Sequence, residues 1–348
     1  MTTKVLVVDD SALIRNLLGE IIKGEEDLTL VGAAPDAFVA KKMVQQFSPD
    51  VITLDIEMPK VDGLRFLDVL MKAKPTPVVM ISTLTETGAD ATMRSLELGA
   101  IDFIPKPKLG VVQGIEEYRQ LILDKIRTAA KSKVRKQRTT VAKSTSALTY
   151  SSTEKIIAIG ASTGGTEAIK TIVESLPANA PATVITQHMP PGYTSTFAQR
   201  LDGVSRLKIV EVKGDERLLP GHGYLAPGDR HMEIVRSGAD YRIKLNDGER
   251  VSGHRPSVDV MFNSLVTSAG ANVVAALLTG MGRDGADGLL ALKQQGAYTF
   301  CQDEDSCVVF GMPKVAIALG APAKVLPLDS IAQAMVTQLE KMKAGSRL

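Results

Sequence analysis

The sequence predicts an α/β protein built from two parallel-sheet units in series. Three observations carry that reading. Short apolar runs alternate with helix-spaced patterns over residues 1–125, and again from Lys155 onward. A polar, basic stretch with little apolar periodicity separates the two series. Hydrophobic residues make up 44% of the 348-residue chain and aromatics only 4%, which suits small aliphatic cores.

The elements of the first series follow in order. "KVLVVDD" is a strand that ends in acids, and "SALIRNLLGEII" is an amphipathic helix with Ser11 as its N-cap. "LTLVGAA", "DVITLD", "PVVMIST" and "IDFIPKP" are four further strands. Helical patterns separate or follow them near residues 36–46, 63–74, 88–98 and 114–130. Five strand–helix units in a row imply a five-stranded parallel, doubly wound sheet covered on both faces. Residues 126–153 form a basic, Ser/Thr-rich linker, with six Lys/Arg and no acid between Lys131 and Thr153. The alternative for this stretch, an electrostatic patch for nucleic acid, lacks interleaved aromatics beyond Tyr150.

The second series occupies residues 154–348. "KIIAIG" is a strand, "GGTEAIKTIVESL" a helix and "ATVITQH" the next strand. Residues 220–248 carry short alternating stretches around glycine-containing turns and are expected as antiparallel hairpins. "VDVMFNSLVTSAG" returns to helix, "NVVAALLTG" to a buried strand, "ADGLLALKQQG" to helix, and "LDSIAQAMVTQLEKMK" ends the series as an amphipathic helix. The second unit is therefore a mainly parallel α/β sheet with a β-hairpin insertion.

Composition also excludes. A net charge of +2 gives no global argument for nucleic acid or an anionic membrane. The N-terminus reaches Asp9 and Asp10 before a signal-peptide core forms, and no run approaches the ~20 apolar residues of a membrane span. Two cysteines, Cys301 and Cys307, without a C-x-x-C pair point away from a disulfide scaffold or zinc site and toward a reducing cytoplasm.

In a parallel doubly wound sheet all strand C-termini share one edge, where ligands bind. The first unit gathers Asp9 and Asp10 after its first strand, Asp55 at the end of its third, Ser82 at the end of its fourth and Lys106 after its fifth. Singly, each is better explained as a helix cap or a solvated charge. Together they suit phosphoryl chemistry. Clustered carboxylates hold Mg²⁺, Asp55 can attack phosphorus, and Lys106 and Ser82 can bind the phosphoryl oxygens. With its motifs "VVDDS", "LDIEMP", "MIST" and "PKP", this unit resembles a two-component receiver domain. The resemblance implies that Asp55 is the phosphoacceptor and that Asp9, Asp10 and Asp55 help bind Mg²⁺, with Glu57 adding its backbone carbonyl. It also implies that Phe103 moves inward as Ser82 turns to the phosphoryl group, and that a histidine kinase is the phosphodonor.

The second unit opens on "KIIAIGASTGG", which admits two readings. Gly160 and Gly165 frame a near miss of the dinucleotide fingerprint, but Ser162 stands where the backbone-approach glycine belongs. The next strand also ends in Gln187 and His188 rather than a ribose-binding acid. The other reading is G-x-S-x-G, a serine presented on a strand-to-helix turn. The helix behind it would direct its positive end toward a developing oxyanion. His188 ends the adjacent strand, ~5 Å away by sheet spacing, and can act as base. Asp284, in the glycine-rich loop of "LLTGMGRDGADG", is the orienting carboxylate, with Asp287 its rival in the same loop. Taken alone, G-x-S-x-G is a weak signal: Ser162 reads more readily as an N-cap, and Asp284 as a loop acid. The chain order Ser, His, Asp differs from the Ser, Asp/Glu, His order of α/β-hydrolases, which points to a different fold carrying a convergent triad.

"IIAIGASTGG", "TQHMP", "YLAPGDRHM", "RPSVDVMFNSL" and "LLTGMGRDGADGL" look like the catalytic domain of the chemotaxis protein-glutamate methylesterases, the CheB family. The resemblance implies Ser162 as nucleophile, His188 as general base and Asp284 as its orienter. It gives Met281 a backbone role near the oxyanion and puts Thr163 in the same pocket. It further implies hydrolysis of glutamate methyl esters, and deamidation of glutamines, on chemoreceptor cytoplasmic helices. The receiver would act as a phosphorylation-controlled gate. No cofactor is implied for the esterase site, and neither nucleic-acid binding nor direct membrane insertion. Two rivals are a transcription regulator, which needs a helix-turn-helix and a basic face, and a non-catalytic module on an inactivated esterase fold.

Overall fold

The computed structural model describes residues 2–83, 85–106, 115–134, 148 and 154–344. The chain divides into two compact units, residues 1–139 and 140–348. In the first, β1 (Thr3–Val8), α1 (Ala12–Lys23), β2 (Leu28–Ala34), α2 (Ala37–Phe47) and β3 (Val51–Asp55) are followed by α3 (Gly63–Ala73), β4 (Val78–Ser82), α4 (Glu86–Glu97), β5 (Asp102–Pro105) and α5 (Ile115–Ala130). The five strands are parallel in the order β2-β1-β3-β4-β5. The chain steps outward once, from β1 to β2, then returns past β1 and continues in one direction. With right-handed crossovers this places α1 and α5 on one face and the remaining helices on the other. Accordingly α1 packs on α5, and α3 on α4. β3 and β4 are buried along their whole length, as strands covered on both faces must be. Ser11 caps α1, its Oγ accepting from the Ile14 N–H at 3.5 Å.

The stretch drawn as linker, residues 126–153, takes in the end of α5 and one buried residue. α5 runs to Ala130, because Ile122, Ile126 and Ala129 continue one buried stripe past residue 125. Leu148 is buried rather than exposed. Its N–H donates to Asn179 Oδ1 at 3.1 Å and its carbonyl accepts from Asn179 Nδ2 at 2.8 Å. The basic residues Arg135, Lys136, Arg138 and Lys143 lie outside the described residues.

The second unit comprises β6 (Ile156–Ala161), α6 (Gly165–Ser175), β7 (Ala182–Gln187), α7 (Thr194–Val204), β8 (Lys208–Glu211), β9 (His222–Leu225), β10 (His231–Ser237) and β11 (Asp240–Asn246). Then come α8 (Val258–Ser268), β12 (Val273–Leu277), α9 (Ala286–Gln294), β13 (Tyr298–Gln302), α10 (Met312–Ala318), β14 (Lys324–Leu326) and α11 (Leu328–Ala344). Seven strands form a parallel sheet in the order β14-β13-β12-β6-β7-β9-β8. β6, buried throughout, is its central strand. β10 and β11 pair antiparallel as a separate hairpin that packs on α8.

One expectation for residues 220–248 is overturned. β9 is not half of a hairpin; it lies parallel between β7 and β8. Four residues are too few for their own periodicity to reveal a partner, and β9 joins the sheet because its neighbours bury Tyr224 and Leu225. The expected hairpin exists, one strand later.

Candidate active site

The middle of the second sheet builds the site. β12, β6 and β7 are neighbours, so three loops leave adjacent strand ends on one edge. After β6 the chain turns sharply into α6. The Ser162 N–H donates to Thr279 O at 3.0 Å, and the Ser162 carbonyl accepts from Gly165 N–H at 2.7 Å. Gly164 closes the turn in the left-handed region, with φ +77°. Ser162 is thereby fixed at the sheet edge, 6% exposed.

His188 follows β7 and is anchored by its N–H to Ala161 O at 3.1 Å. Its Nδ1 lies 3.0 Å from Ser162 Oγ, and its Nε2 lies 2.7 Å from Asp284 Oδ2. A carboxylate only accepts, so Nε2 carries the proton and Nδ1 presents a lone pair to the serine hydroxyl. The His254 ring stacks on the other side, with centroids 3.7 Å apart and planes 16° from parallel.

Asp284 follows β12 and is 1% exposed. Its carboxylate sits on the start of α8. Oδ1 accepts from Ser257 Oγ at 2.7 Å and Asp259 N–H at 3.1 Å, and Oδ2 accepts from Val258 N–H at 2.7 Å. A helix N-terminus supplies such donors and favours negative charge. Burial by itself would raise the Asp284 pKa. The hydrogen bond and charge of His188, with the bonds from Ser257 and Val258, outweigh it and hold the carboxyl below its ordinary range. Asp259, the first acid of α8, goes the other way. Burial raises it, against a hydrogen bond from Gly288 N–H at 2.7 Å, and the Asp284 charge adds to the rise. Asp287, the sequence's rival orienter, pairs with Arg283 at 2.7 Å on the surface.

Of the two residues expected in the pocket, Thr163 is 5% exposed and its carbonyl accepts from Thr279 Oγ1 at 3.0 Å. The Met281 side chain is exposed. Sequence reasoning missed Ser257 and α8 as the seat of Asp284, and it missed the His254 stack. The N-cap serine after Pro256 was readable as a helix start, but its service to a carboxylate 27 residues away is not a local signal.

The first unit has its own cluster at the corresponding sheet edge. Carboxylate oxygens of Asp9, Asp10 and Asp55 lie within 4.8 Å of one another. Lys106 Nζ stands 2.7 Å from Asp55 Oδ2 and 3.5 Å from Asp9 Oδ2. Burial, partly offset by Lys106, pushes Asp55 up to about 6. Asp9 Oδ2 is buried without a hydrogen-bond donor, and three converging carboxylates suit a hard dication, so the donor set fits Mg²⁺. The Glu57 N–H donates to Asp55 Oδ1 at 3.2 Å, while its side chain takes the Thr83 hydroxyl. Ser82 is not in the cluster: its Oγ bonds Thr92 Oγ1 and Gly88 O at the start of α4. Phe103 is buried.

Comparison with known proteins matches both units. The CheB methylesterase family model matches residues 157–335, and the response regulator receiver domain model matches residues 5–111. The protein-glutamate methylesterase/protein-glutamine glutaminase 2 of Pseudomonas aeruginosa is 57% identical over 349 residues, covering 100% of both chains. The protein-glutamate methylesterase/protein-glutamine glutaminase of Salmonella typhimurium is 51% identical, over 99% of this chain and 98% of its own. The crystal structure of the Thermotoga maritima CheB methylesterase catalytic domain superposes with a TM-score of 0.52 at 37% identity, covering 53% of this chain and 98% of that one. The chain therefore belongs to the CheB methylesterase family and carries a response regulator receiver domain ahead of its esterase domain.

Proposed function

We propose that the protein is a serine esterase that removes methyl groups from glutamate esters on chemoreceptors and deamidates receptor glutamines, under control of receiver phosphorylation in chemotaxis. The observation that carries the reading is the chain of contacts from Ser162 Oγ through His188 to Asp284, at 3.0 and 2.7 Å. Ser162 Oγ attacks the ester carbonyl as His188 Nδ1 takes its proton. Asp284 stabilises the imidazolium that forms. Thr163 and Met281 flank the oxyanion. Collapse of the tetrahedral species expels methoxide, which takes the proton from Nδ1 and departs as methanol. Water then gives a proton to Nδ1, attacks the acyl-serine and releases the glutamate side chain, returning the proton to Ser162. With a glutamine substrate, ammonia leaves instead.

In the receiver, Asp55 accepts a phosphoryl group from a histidine kinase. Asp9, Asp10 and Asp55, with the Glu57 carbonyl, would hold Mg²⁺, which neutralises charge on the incoming phosphoryl group. Lys106 is set to bind a phosphoryl oxygen, and Ser82 reaches one by leaving Thr92. Phe103 repacks as Ser82 turns, and the receiver's restraint on the esterase is released. The three units proposed are receiver, linker and esterase, and the setting is the cytoplasm.

The test is methanol release from methyl-labelled receptor. Ser162→Ala abolishes it, while wild-type-like release from that variant refutes the mechanism.

A further inference from the structure

The ladder between β6 and β7 ends at the pair Ala161 and Gln187. The next residue on each strand is Ser162 and His188, where the chains part toward different loops. The Gln187 side chain spans that divergence. Its Nε2 donates to Ser162 O at 2.9 Å and to His188 O at 3.1 Å. One amide nitrogen thus ties together the backbones of the two residues whose side chains must meet.

Two further observations point to a purpose beyond stability. First, Gln187 is 4% exposed, and its Oε1 has no hydrogen-bond partner. A buried carbonyl oxygen without a donor costs stability, so the side chain is retained for its nitrogen end. Second, Gly165 makes room for it. A Cβ on Gly165 would meet Gln187 Oε1 at 2.1 Å and the Ala161 Cβ at 2.6 Å. Gly165 starts α6 without a positive φ, so space rather than backbone freedom calls for glycine there. A primary amide is the neutral side-chain group that offers two N–H bonds from one atom. Glutamate and methionine match its length and lack the donors.

We propose that Gln187 is a positioning residue that sets the separation of Ser162 and His188, and that Gly165 is glycine in order to admit it. Neither residue touches substrate; both act through the serine–histidine contact. This rests on the reading of Ser162 as nucleophile and His188 as base.

The test uses the full-length protein as wild type, Gln187→Met, Gly165→Ala and the double variant. Labelling of Ser162 by a fluorophosphonate, followed by mass spectrometry, gives the reactivity of the serine and, at completion, the number of competent sites. Methanol release from methyl-labelled receptor then gives KM, and kcat per labelled site. Misplacing a reacting group by about 1 Å costs on the order of a hundredfold. Each single variant is therefore expected to lose about tenfold to a hundredfold in kcat and in labelling rate. KM stays within about twofold, and because Gln187→Met also removes an orphan oxygen, its melting temperature changes little. The double variant is no slower than the slower single one, since both break one device. Near-wild-type kcat per site in either single variant overturns the inference, as does a double variant whose losses multiply. An active wild type that leaves Ser162 unlabelled overturns the underlying reading instead, which is a different result from a labelled wild type with unaffected variants.

Discussion

Asp284→Asn keeps shape and volume and removes only the charge and one acceptor. The carboxylate has four donors around it: His188 Nε2 and Val258 N–H on Oδ2, Ser257 Oγ and Asp259 N–H on Oδ1. Each oxygen faces a backbone N–H, so either orientation of the asparagine amide sets an NH₂ against a donor that cannot turn away. With the NH₂ toward His188 it donates to Nε2. The imidazole proton then moves to Nδ1, which faces Ser162 Oγ and can no longer accept. With the NH₂ toward Asp259 the ring keeps its tautomer, but the imidazolium loses its counter-charge. Losing orientation and charge together is expected to lower kcat by about 10³–10⁴-fold. Hydrogen bonds to a charged acceptor contribute about 1.5–3 kcal/mol each, so stability falls by a similar amount. Methanol release under saturating receptor measures the first quantity and urea unfolding the second. A variant within tenfold of wild type in kcat would refute the assignment of His188 and Asp284.

Three other perturbations follow from the same geometry. Asp55→Ala should leave basal methanol release intact and abolish its stimulation by a small phosphodonor; equal stimulation in the variant would remove Asp55 as the switch. Ser257→Ala deletes both the α8 cap and a donor to Asp284, so a loss of about 1–2 kcal/mol on denaturant unfolding is expected, and an unchanged midpoint would contradict it. Asp259 is raised by burial, so the native state binds its proton more tightly than the unfolded chain does. Its contribution is present at pH below the ordinary carboxylate range and lost as pH rises through the raised native value; Asp284, held low, behaves oppositely and loses its contribution as pH falls. Asp259→Asn should therefore gain on wild type as pH rises from about 4 to 7. Parallel stability curves across that window would count against a shifted Asp259.

The parallel strands of the first unit were legible because each is a short apolar run flanked by helix-spaced residues, as in "DVITLD" and "PVVMIST". The same signal exposed β6, β7 and β12, which is why Ser162 and His188 could be paired from adjacent strand ends. The edge strands of the second sheet gave no such signal. β8 and β14 are four and three residues long and partly solvated, so no run is long enough to read. β9 misled for the same reason. In the site, the residue pattern alone left Asp284 and Asp287 as rivals in one glycine-rich loop; the resemblance favoured Asp284, and the fold seats that residue on α8. Ser82 illustrates a different limit: sequence places it at the right strand end, but the direction of its hydroxyl depends on Thr92 and Gly88, ten and six residues away.

His188 and Asp284 are 96 residues apart in the chain, yet they flank Ser162 from the strands on either side of it. Their distances are set by the ~4.8 Å spacing of neighbouring strands and not by the length of chain between them. Between the two the polypeptide builds the edge strand β8, its neighbour β9 and a separate hairpin before it returns. Lengthening a surface loop costs only about 0.6 kcal/mol per doubling. The hairpin tip at Gly238 and Ala239 is exposed, with open space around Gly238. The fold thus contains a port for inserted domains, a place where a reporter or a second binding module can be spliced into the middle of the enzyme while the strand ends that do the chemistry stay in register.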